Sequence, residues 1–147
     1  MDKIKNVLFV CTGNTCRSPM AQALFECLAE KRGLNCKSES AGVAVGAEGR
    51  LATPEAAFAV KRFGADLSEH KSRSIRAVDI EAVDLFAAAT MEHANMLLNL
   101  GISKNKIFVM NIPDPFGGSQ DVYDDCCEAI KKSVECLIEL IKKNNKE

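Results

Sequence analysis

Short runs of apolar residues alternate along the chain with longer stretches whose apolar positions recur at helical spacing. This pattern predicts four strands, four longer helices and a short helix near Val78–Ala82. The strands are expected at Val7–Val10, Lys37–Ala41, Asp84–Ala88 and Lys106–Val109, and the helices at Pro19–Arg32, Pro54–Phe63, Met91–Leu98 and Asp121–Lys142. Because strands that alternate with helices are typical of parallel sheets, we expect an α/β fold. It would be a three-layer sandwich, with helices on both faces of a four-stranded parallel sheet.

Composition and charge limit the classes of protein to which the chain can belong. Its 147 residues are 47% apolar and 27% charged, which suits one folded domain over residues 1–147. Since the net charge is −1 and there is no basic stripe, nucleic acid is not an expected partner. Residues 1–5 lead directly into a strand, and no apolar run reaches transmembrane length. We therefore expect neither a signal peptide nor a membrane-bound protein.

The cysteine content indicates a reducing compartment. Seven cysteines is an odd number, whereas a secreted disulfide framework favours an even number in a shorter chain. We therefore expect a cytoplasmic protein with mostly reduced thiols. Cys126, Cys127 and Cys136 fall within the last helical pattern and are interpreted as core or half-buried thiols. No cysteine or histidine spacing resembles a zinc site, so neither a metal nor another cofactor is expected.

The segment from Cys11 to Ser18, called the phosphate loop below, joins the first predicted strand to the first predicted helix. Ligands bind at the carboxyl ends of the strands in such sheets, which is where this loop lies. Cys11 suits a nucleophile that attacks phosphorus, because a helix N-terminus, inward backbone N–H groups and a guanidinium all favour a thiolate. The planar donor fork of Arg17 matches two phosphoryl oxygens.

Other residues of the phosphate loop also suit a phosphoryl group. Gly13 permits backbone conformations that a side chain would forbid, and Asn14 tolerates the left-handed region. Ser18 is expected to cap the following helix and to hydrogen-bond the Cys11 sulfur. The alternative is a buried strand-end thiol and a surface Arg17, since the spacing of the two residues alone is a weak signal. The predicted phosphate-binding set is Thr12, Gly13, Asn14, Thr15, Cys16, Arg17 and Ser18.

A second candidate group lies on the loop after the fourth predicted strand. Pro113 and Pro115 flank Asp114 and hold it on a stiff, extended backbone. A carboxylic acid there can protonate a leaving group and then activate water. Asp114 could instead merely start a turn, but a phosphate loop at the same edge of the sheet favours the acid. The loop Val43–Thr53, rich in glycine and alanine, is expected to form one wall of the cleft.

Together these segments resemble the low-molecular-weight protein tyrosine phosphatase family over essentially the whole chain. The family's nucleophile loop reads Cys-x-Gly-Asn-x-Cys-Arg-Ser-Pro, and residues 11–19 match it without departure. Ser40-Ala41-Gly42 matches a family segment whose serine braces the loop asparagine. Asp114-Pro115 matches the general-acid loop, and His70-Lys71-Ser72-Arg73 matches a structural stretch of the family.

The resemblance implies a hydrolase that works through a phosphocysteine and needs no metal. Cys11 would be the nucleophile, Arg17 the phosphoryl ligand, and Asp114 the acid and later the base. Ser18 would stabilise the thiolate, while Asn14 and Ser40 would support the loop. The substrates would be phosphorylated proteins, with inorganic phosphate as product and competitive ligand, and we expect a monomer.

Two features are similar to the bacterial protein-arginine-phosphatase subgroup of the family. Thr15 stands where tyrosine-directed members usually carry a larger aliphatic residue, and Phe116–Ser119 stands where many eukaryotic members have two tyrosines. A hydroxyl in place of a methyl leaves room and a polar contact for a guanidinium, a difference of about 1–3 kcal/mol. The resemblance therefore predicts a preference for phosphoarginine. The alternative is a phosphotyrosine phosphatase in which Thr15 is neutral.

The family precedent for Cys16 is a reversible disulfide with Cys11 that protects the nucleophile from deeper oxidation. An inert core residue is the alternative interpretation of Cys16.

Three other functions are weighed against a protein phosphatase. Arsenate reductases of this fold need further cysteines after the third strand, and residues 84–100 contain none. A phospho-residue binding module could dispense with Cys11 or Asp114, yet both are present. A small-molecule phosphatase stays open, because the sequence does not reveal the depth of the cleft.

Overall fold

A computed structural model describes residues 2–146. Four strands, β1 (Asn6–Cys11), β2 (Lys37–Gly42), β3 (Leu85–Ala88) and β4 (Ile107–Val109), form one parallel sheet in the order β2-β1-β3-β4. The helices are α1 (Arg17–Lys31), α2 (Pro54–Lys61), α3 (Met91–Asn99) and α4 (Gln120–Asn145). The predicted α/β fold with a four-stranded parallel sheet is confirmed. The assignment of residues 1–147 to one domain stays a prediction, and Met1 and Glu147 lie outside the described residues.

The side chains of β1 alternate between two hydrophobic clusters, one on each face of the sheet. Val7, Phe9 and Cys11 belong to the larger cluster, which also contains residues of α1, α2 and α4. Leu8 and Val10 belong to the smaller cluster, which also contains residues of α3 and of the segment before β3. Since β1 pairs with both β2 and β3, its carboxyl end, where Cys11 lies, is in the middle of the sheet.

The start of α1 differs from the prediction. The helix begins at Arg17, Cys16 occupies the cap position, and no side chain caps the helix. The prediction that Ser18 caps it is therefore wrong, because Ser18 is already inside the first turn and its hydroxyl lies beside the Cys11 sulfur.

Two other helical predictions need correction. The short helix expected near Val78–Ala82 is two separate 3₁₀ turns, Ile75–Ala77 and Ile80–Ala82, each capped by the side chain that precedes it. Helix α4 extends to Asn145, beyond its predicted end at Lys142, because the Asn145 amide bonds both backbone groups of Ile4.

Within residues 2–146, no helix combines the length and the apolar character that crossing a bilayer requires.

The end of β2 approaches the phosphate loop so closely that only glycine fits. A Cβ atom on Gly42 would overlap the Thr12 carbonyl oxygen and lie 2.6 Å from Val45 Cγ2. Either the phosphate loop or the loop after β2 would have to move to accept a side chain here.

Gly42→Ala is expected to lower the free energy of unfolding by about 1–3 kcal/mol, because the added methyl overpacks a backbone contact. Gly46→Ala is the matched control, since a Cβ there meets no atom within 4 Å and its φ is not positive. Urea unfolding of both variants measures the difference. Equal stabilities of the two variants would contradict the proposed close approach.

Candidate active site

The phosphate loop turns through a left-handed residue directly after β1. Asn14 has a φ of 58°, which asparagine tolerates better than most residues. Gly13 does not have a positive φ, and a Cβ there would meet only Thr15 Oγ1, at 3.9 Å. The expectation that Gly13 supplies special backbone freedom is therefore wrong, and Asn14 makes the turn.

The Cys11 sulfur has a hydroxyl partner beneath the loop. Cys11 is 2% exposed, and its Sγ lies 2.9 Å from Ser18 Oγ. The Asn14 side chain donates an N–H to the same Ser18 oxygen at 2.8 Å. Because Ser18 accepts from Asn14, its own proton is free to be donated to the sulfur, which stabilises a negative charge there.

Asn14 holds the loop to two other segments, β2 and residues 70–73. Its Nδ2 donates to Ser40 Oγ at 3.0 Å, and its Oδ1 accepts the Arg73 backbone N–H at 2.9 Å. Its carbonyl oxygen accepts from His70 Nε2 at 2.7 Å. Burial lowers the pKa of His70, although the bond to Asn14 opposes this shift, so a neutral imidazole is favoured. Asn14 and Ser18 are wholly buried, and their side chains support the loop instead of lining the cavity.

The Arg17 guanidinium is hydrogen-bonded to the protein backbone and also lines the cavity. The residue is 5% exposed, and its Nη1 donates to the Ile112 carbonyl at 2.9 Å. Its Nη2 lies 3.5 Å from Thr12 Oγ1 and 3.8 Å from Asp114 Oδ2. A buried cation held in this way presents a fixed positive charge to any anion that enters the cavity.

Asp114 lies opposite the loop on an exposed segment. Its side chain is 56% exposed, and its Oδ1 accepts the Phe116 backbone N–H at 3.0 Å. Oδ2 is thereby left facing the Arg17 guanidinium. The carboxyl group is accessible to solvent and to a substrate, as a proton donor must be.

These groups share one cavity of about 250 Å³. One wall comes from residues 44–47 and Arg50, within the loop that was predicted to form it, and Asp114 and Phe116 line another side. The residues of the predicted phosphate-binding set that line the cavity are Thr12, Gly13, Thr15, Cys16 and Arg17, together with Cys11.

Cys16 is held among hydroxyl groups under the loop. Its Sγ lies 3.3 Å from the Tyr123 hydroxyl and 3.7 Å from Thr53 Oγ1. Burial, and then the bond to Cys16, raise the pKa of Tyr123 to about 12, so its phenol keeps its proton and can donate it to the sulfur.

The buried thiols of Cys126 and Cys127 in α4, and that of Cys36 before β2, are poor nucleophiles. Burial is the main cause that raises the pKa of Cys126 to about 12 and those of Cys127 and Cys36 to about 11. Cys126 and Cys127 are core residues as expected, but Cys136 is exposed, contrary to the prediction. Among residues 2–146, no group of three or more histidine, cysteine or acidic side chains could hold a metal ion.

Some residues at the site were not predicted from the sequence. His93 Nε2 lies 2.8 Å from Thr12 Oγ1, and the Tyr123 hydroxyl lies 3.3 Å from Cys16 Sγ. Only His93 had a usable signal, because the spacing Thr90-x-x-His93 after a strand is that of a helix-capping pair at the ligand-binding edge.

Comparison with known proteins identifies the class to which this site belongs. The family described as low molecular weight phosphotyrosine protein phosphatase matches residues 6–147. The chain is 36% identical to a protein-arginine-phosphatase of Bacillus subtilis (strain 168), over 96% of this chain and 99% of that one. It is 30% identical to a low molecular weight protein-tyrosine-phosphatase of Streptomyces coelicolor, over 92% and 93% of the two chains.

A solved structure shows the same architecture. A cysteine-to-serine mutant of the YwlE arginine phosphatase, with a phosphorylated active-site serine, matches with a TM-score of 0.88 and 34% identity over 96% of this chain and 98% of that one. The chain belongs to the low-molecular-weight protein tyrosine phosphatase family, and it is a hydrolase of the phosphatase class.

Asn14→Ala is expected to destabilise the fold by about 2–4 kcal/mol, because it removes buried hydrogen bonds and leaves alanine in the left-handed region. Asn111→Ala is the matched control: Asn111 has nearly the same φ, 60°, but is exposed. Denaturant unfolding of both variants separates backbone strain from the lost side-chain bonds. Equal losses in the two variants would show that the Asn14 amide contributes little.

Proposed function

We propose that the chain is a cysteine-dependent protein phosphatase that forms a phosphocysteine intermediate and prefers protein phosphoarginine. The observation that carries this proposal is the convergence of Cys11, Arg17 and Asp114 on one cavity. The phosphorylated active-site serine of the YwlE mutant supports a covalent intermediate. A phosphotyrosine phosphatase is the second candidate, because a tyrosine phosphatase is 30% identical over most of the chain.

The proposed reaction uses each side chain at one stage. Arg17 and the loop N–H groups bind the phosphoryl oxygens and stabilise the charge of the in-line transition state. Cys11 Sγ forms a bond to phosphorus while the bond from phosphorus to the guanidine nitrogen, or to the phenol oxygen, breaks. Asp114 donates a proton to that departing atom. Water then attacks the phosphocysteine, Asp114 takes its proton, and inorganic phosphate leaves as Ser18 stabilises the restored thiolate.

Thr15 is the proposed specificity residue. It lines the cavity, and its carbonyl oxygen accepts the Thr53 backbone N–H at 3.0 Å. Its Oγ1 lies 3.8 Å from Cys16 Sγ, a long contact, so the hydroxyl remains available to a ligand. A small side chain with a hydroxyl suits the branched, nitrogen-rich leaving group of phosphoarginine better than an aliphatic one would.

The specificity is tested by comparing kcat/KM on phosphoarginine and phosphotyrosine peptides in reducing buffer. The wild type is expected to prefer phosphoarginine. Thr15→Ile should lower that preference by about 10- to 100-fold, because it adds bulk and removes the hydroxyl.

Two further variants separate those causes. Thr15→Val removes the hydroxyl but keeps the shape, and Thr15→Ser keeps the hydroxyl. If the Thr15 hydroxyl determines the specificity, Thr15→Val loses the preference for phosphoarginine and Thr15→Ser retains it. A wild type that prefers phosphotyrosine would overturn the arginine assignment and leave Thr15 neutral.

Asp114→Asn is expected to lower kcat on phosphoarginine by about 10²–10⁴-fold, because the departing nitrogen needs a proton. The loss should be much smaller on para-nitrophenyl phosphate, whose leaving group departs without one. Asparagine keeps an acceptor for the Phe116 N–H, so the loop should be preserved. Asp121→Asn, at the exposed start of α4, is the control. Equal losses on the two substrates would contradict the acid role, and Cys11→Ser should be inactive on both.

We also propose that Cys11 and Cys16 form a reversible disulfide, and that the protein works as a monomer in the bacterial cytoplasm. Both cysteines are buried free thiols of the phosphate loop. Peroxide would accept two electrons from the pair and become water as the S–S bond forms, and a small thiol would reverse the step.

A further inference from the structure

His93 is a buried histidine between the first turn of α3 and the phosphate loop. It is 5% exposed, and its Nε2 lies 2.8 Å from Thr12 Oγ1. Its other ring nitrogen, Nδ1, faces Thr90, at 3.2 Å from the backbone N and 2.9 Å from Oγ1. The imidazole therefore links Thr90, the residue that caps α3, to the second residue of the loop.

The contacts of the ring determine its tautomer. The Thr90 backbone N–H can only donate, so Nδ1 must be an unprotonated acceptor. The proton of the neutral ring then resides on Nε2 and is donated to Thr12 Oγ1.

The charges that face the ring are consistent with a neutral imidazole. Burial, and then the Arg17 guanidinium, lower the pKa of His93, while Glu92 and Asp114 oppose this shift. At neutral pH the ring therefore keeps the form that accepts from Thr90 and donates to Thr12.

This tautomer fixes the direction of the Thr12 hydroxyl. The oxygen has two acceptor sites, and it receives the His93 Nε2–H and faces Arg17 Nη2 at 3.5 Å. His93 Nε2 and Arg17 Nη2 are both donors, so neither can accept the proton of the Thr12 hydroxyl. That proton therefore points away from both groups. Thr12 lines the cavity, so its O–H is free to donate to a ligand bound there.

We propose that His93 is a positioning residue of this site, which turns the Thr12 hydroxyl so that it donates to a phosphoryl oxygen of the bound substrate. The inference rests on the proposed phosphatase activity and adds one directed donor to it. Neither Thr12 nor His93 exchanges a proton with the reacting atoms.

Two amide substitutions separate the two hydrogen-bonding roles of the His93 ring, donation to Thr12 and acceptance from Thr90. In His93→Gln the amide nitrogen replaces Nε2, so the donor to Thr12 is kept and the acceptor for Thr90 is lost. In His93→Asn the amide oxygen replaces Nδ1, so the helix cap is kept and the donor is lost. If His93 is a positioning residue, kcat/KM on para-nitrophenyl phosphate and on phosphoarginine should fall about tenfold in the His93→Asn variant, as expected for the loss of one hydrogen bond to a charged group. In the His93→Gln variant it should fall less than threefold. A purely structural role predicts the reverse order, with the thermal midpoint following activity.

A double-mutant cycle shows whether His93 acts through Thr12. Thr12→Val alone should cost about the same tenfold, and His93→Asn should add nothing in that background. Independent, multiplying losses would overturn the proposal, as would equal activities of the Gln and Asn variants.

A binding measurement separates this inference from the proposed function. The dissociation constant of inorganic phosphate, measured by calorimetry, should rise in His93→Asn and stay unchanged in His93→Gln. If the wild type binds phosphate but hydrolyses neither substrate, the proposed function fails. The phosphate dissociation constants of the two His93 variants still test whether His93 positions Thr12. If phosphate affinity is the same in all variants, the positioning role fails even in an active enzyme.

Discussion

The buried amide of Asn14 is the interaction on which the site depends. A left-handed backbone turn costs energy in any residue with a side chain, and here that side chain compensates by bonding the loop to Ser18, Ser40 and the backbone of Arg73. Each partner comes from a different element, so the loop keeps its shape only while the sheet, α1 and the segment after α2 are all in place. The close contact at Gly42 adds a steric constraint on the same loop.

Thiols of this chain that are buried to a similar degree have different hydrogen-bond partners. Burial raises the pKa of Cys126 in α4 to about 12 and that of Cys127 to about 11, which holds both thiols in the protonated form. Cys11 is as deeply buried, but its sulfur faces a hydroxyl that is already polarised by an amide, at the start of a helix. What distinguishes the loop thiol is therefore its hydrogen-bond donors, since burial is common to both environments.

The parts of the fold that could be predicted from sequence depend on local patterns. The strands, the longer helices and the left-handed Asn14 follow from periodicity and residue type, and the loop motif and the acidic loop were recognisable as segments. The order of the strands, the neighbours of Cys16 and the contact between His93 and Thr12 join residues far apart in the chain, so no local pattern predicts them. The end of α4 was missed for the same reason, because residues at the opposite end of the chain stabilise it.

The contact between Ile4 and Asn145 also indicates where a label or a surface tether can be attached. Asn145 clamps Ile4 at the amino end of the central strand, whereas Cys11 lies at its carboxyl end, about 20 Å away for a strand of this length. A fluorescent reporter or a surface tether attached before Ile4 or after Asn145 would project from the face opposite the cleft. Protein-sized substrates could then approach an immobilised molecule freely, so binding and turnover can be followed on a sensor surface.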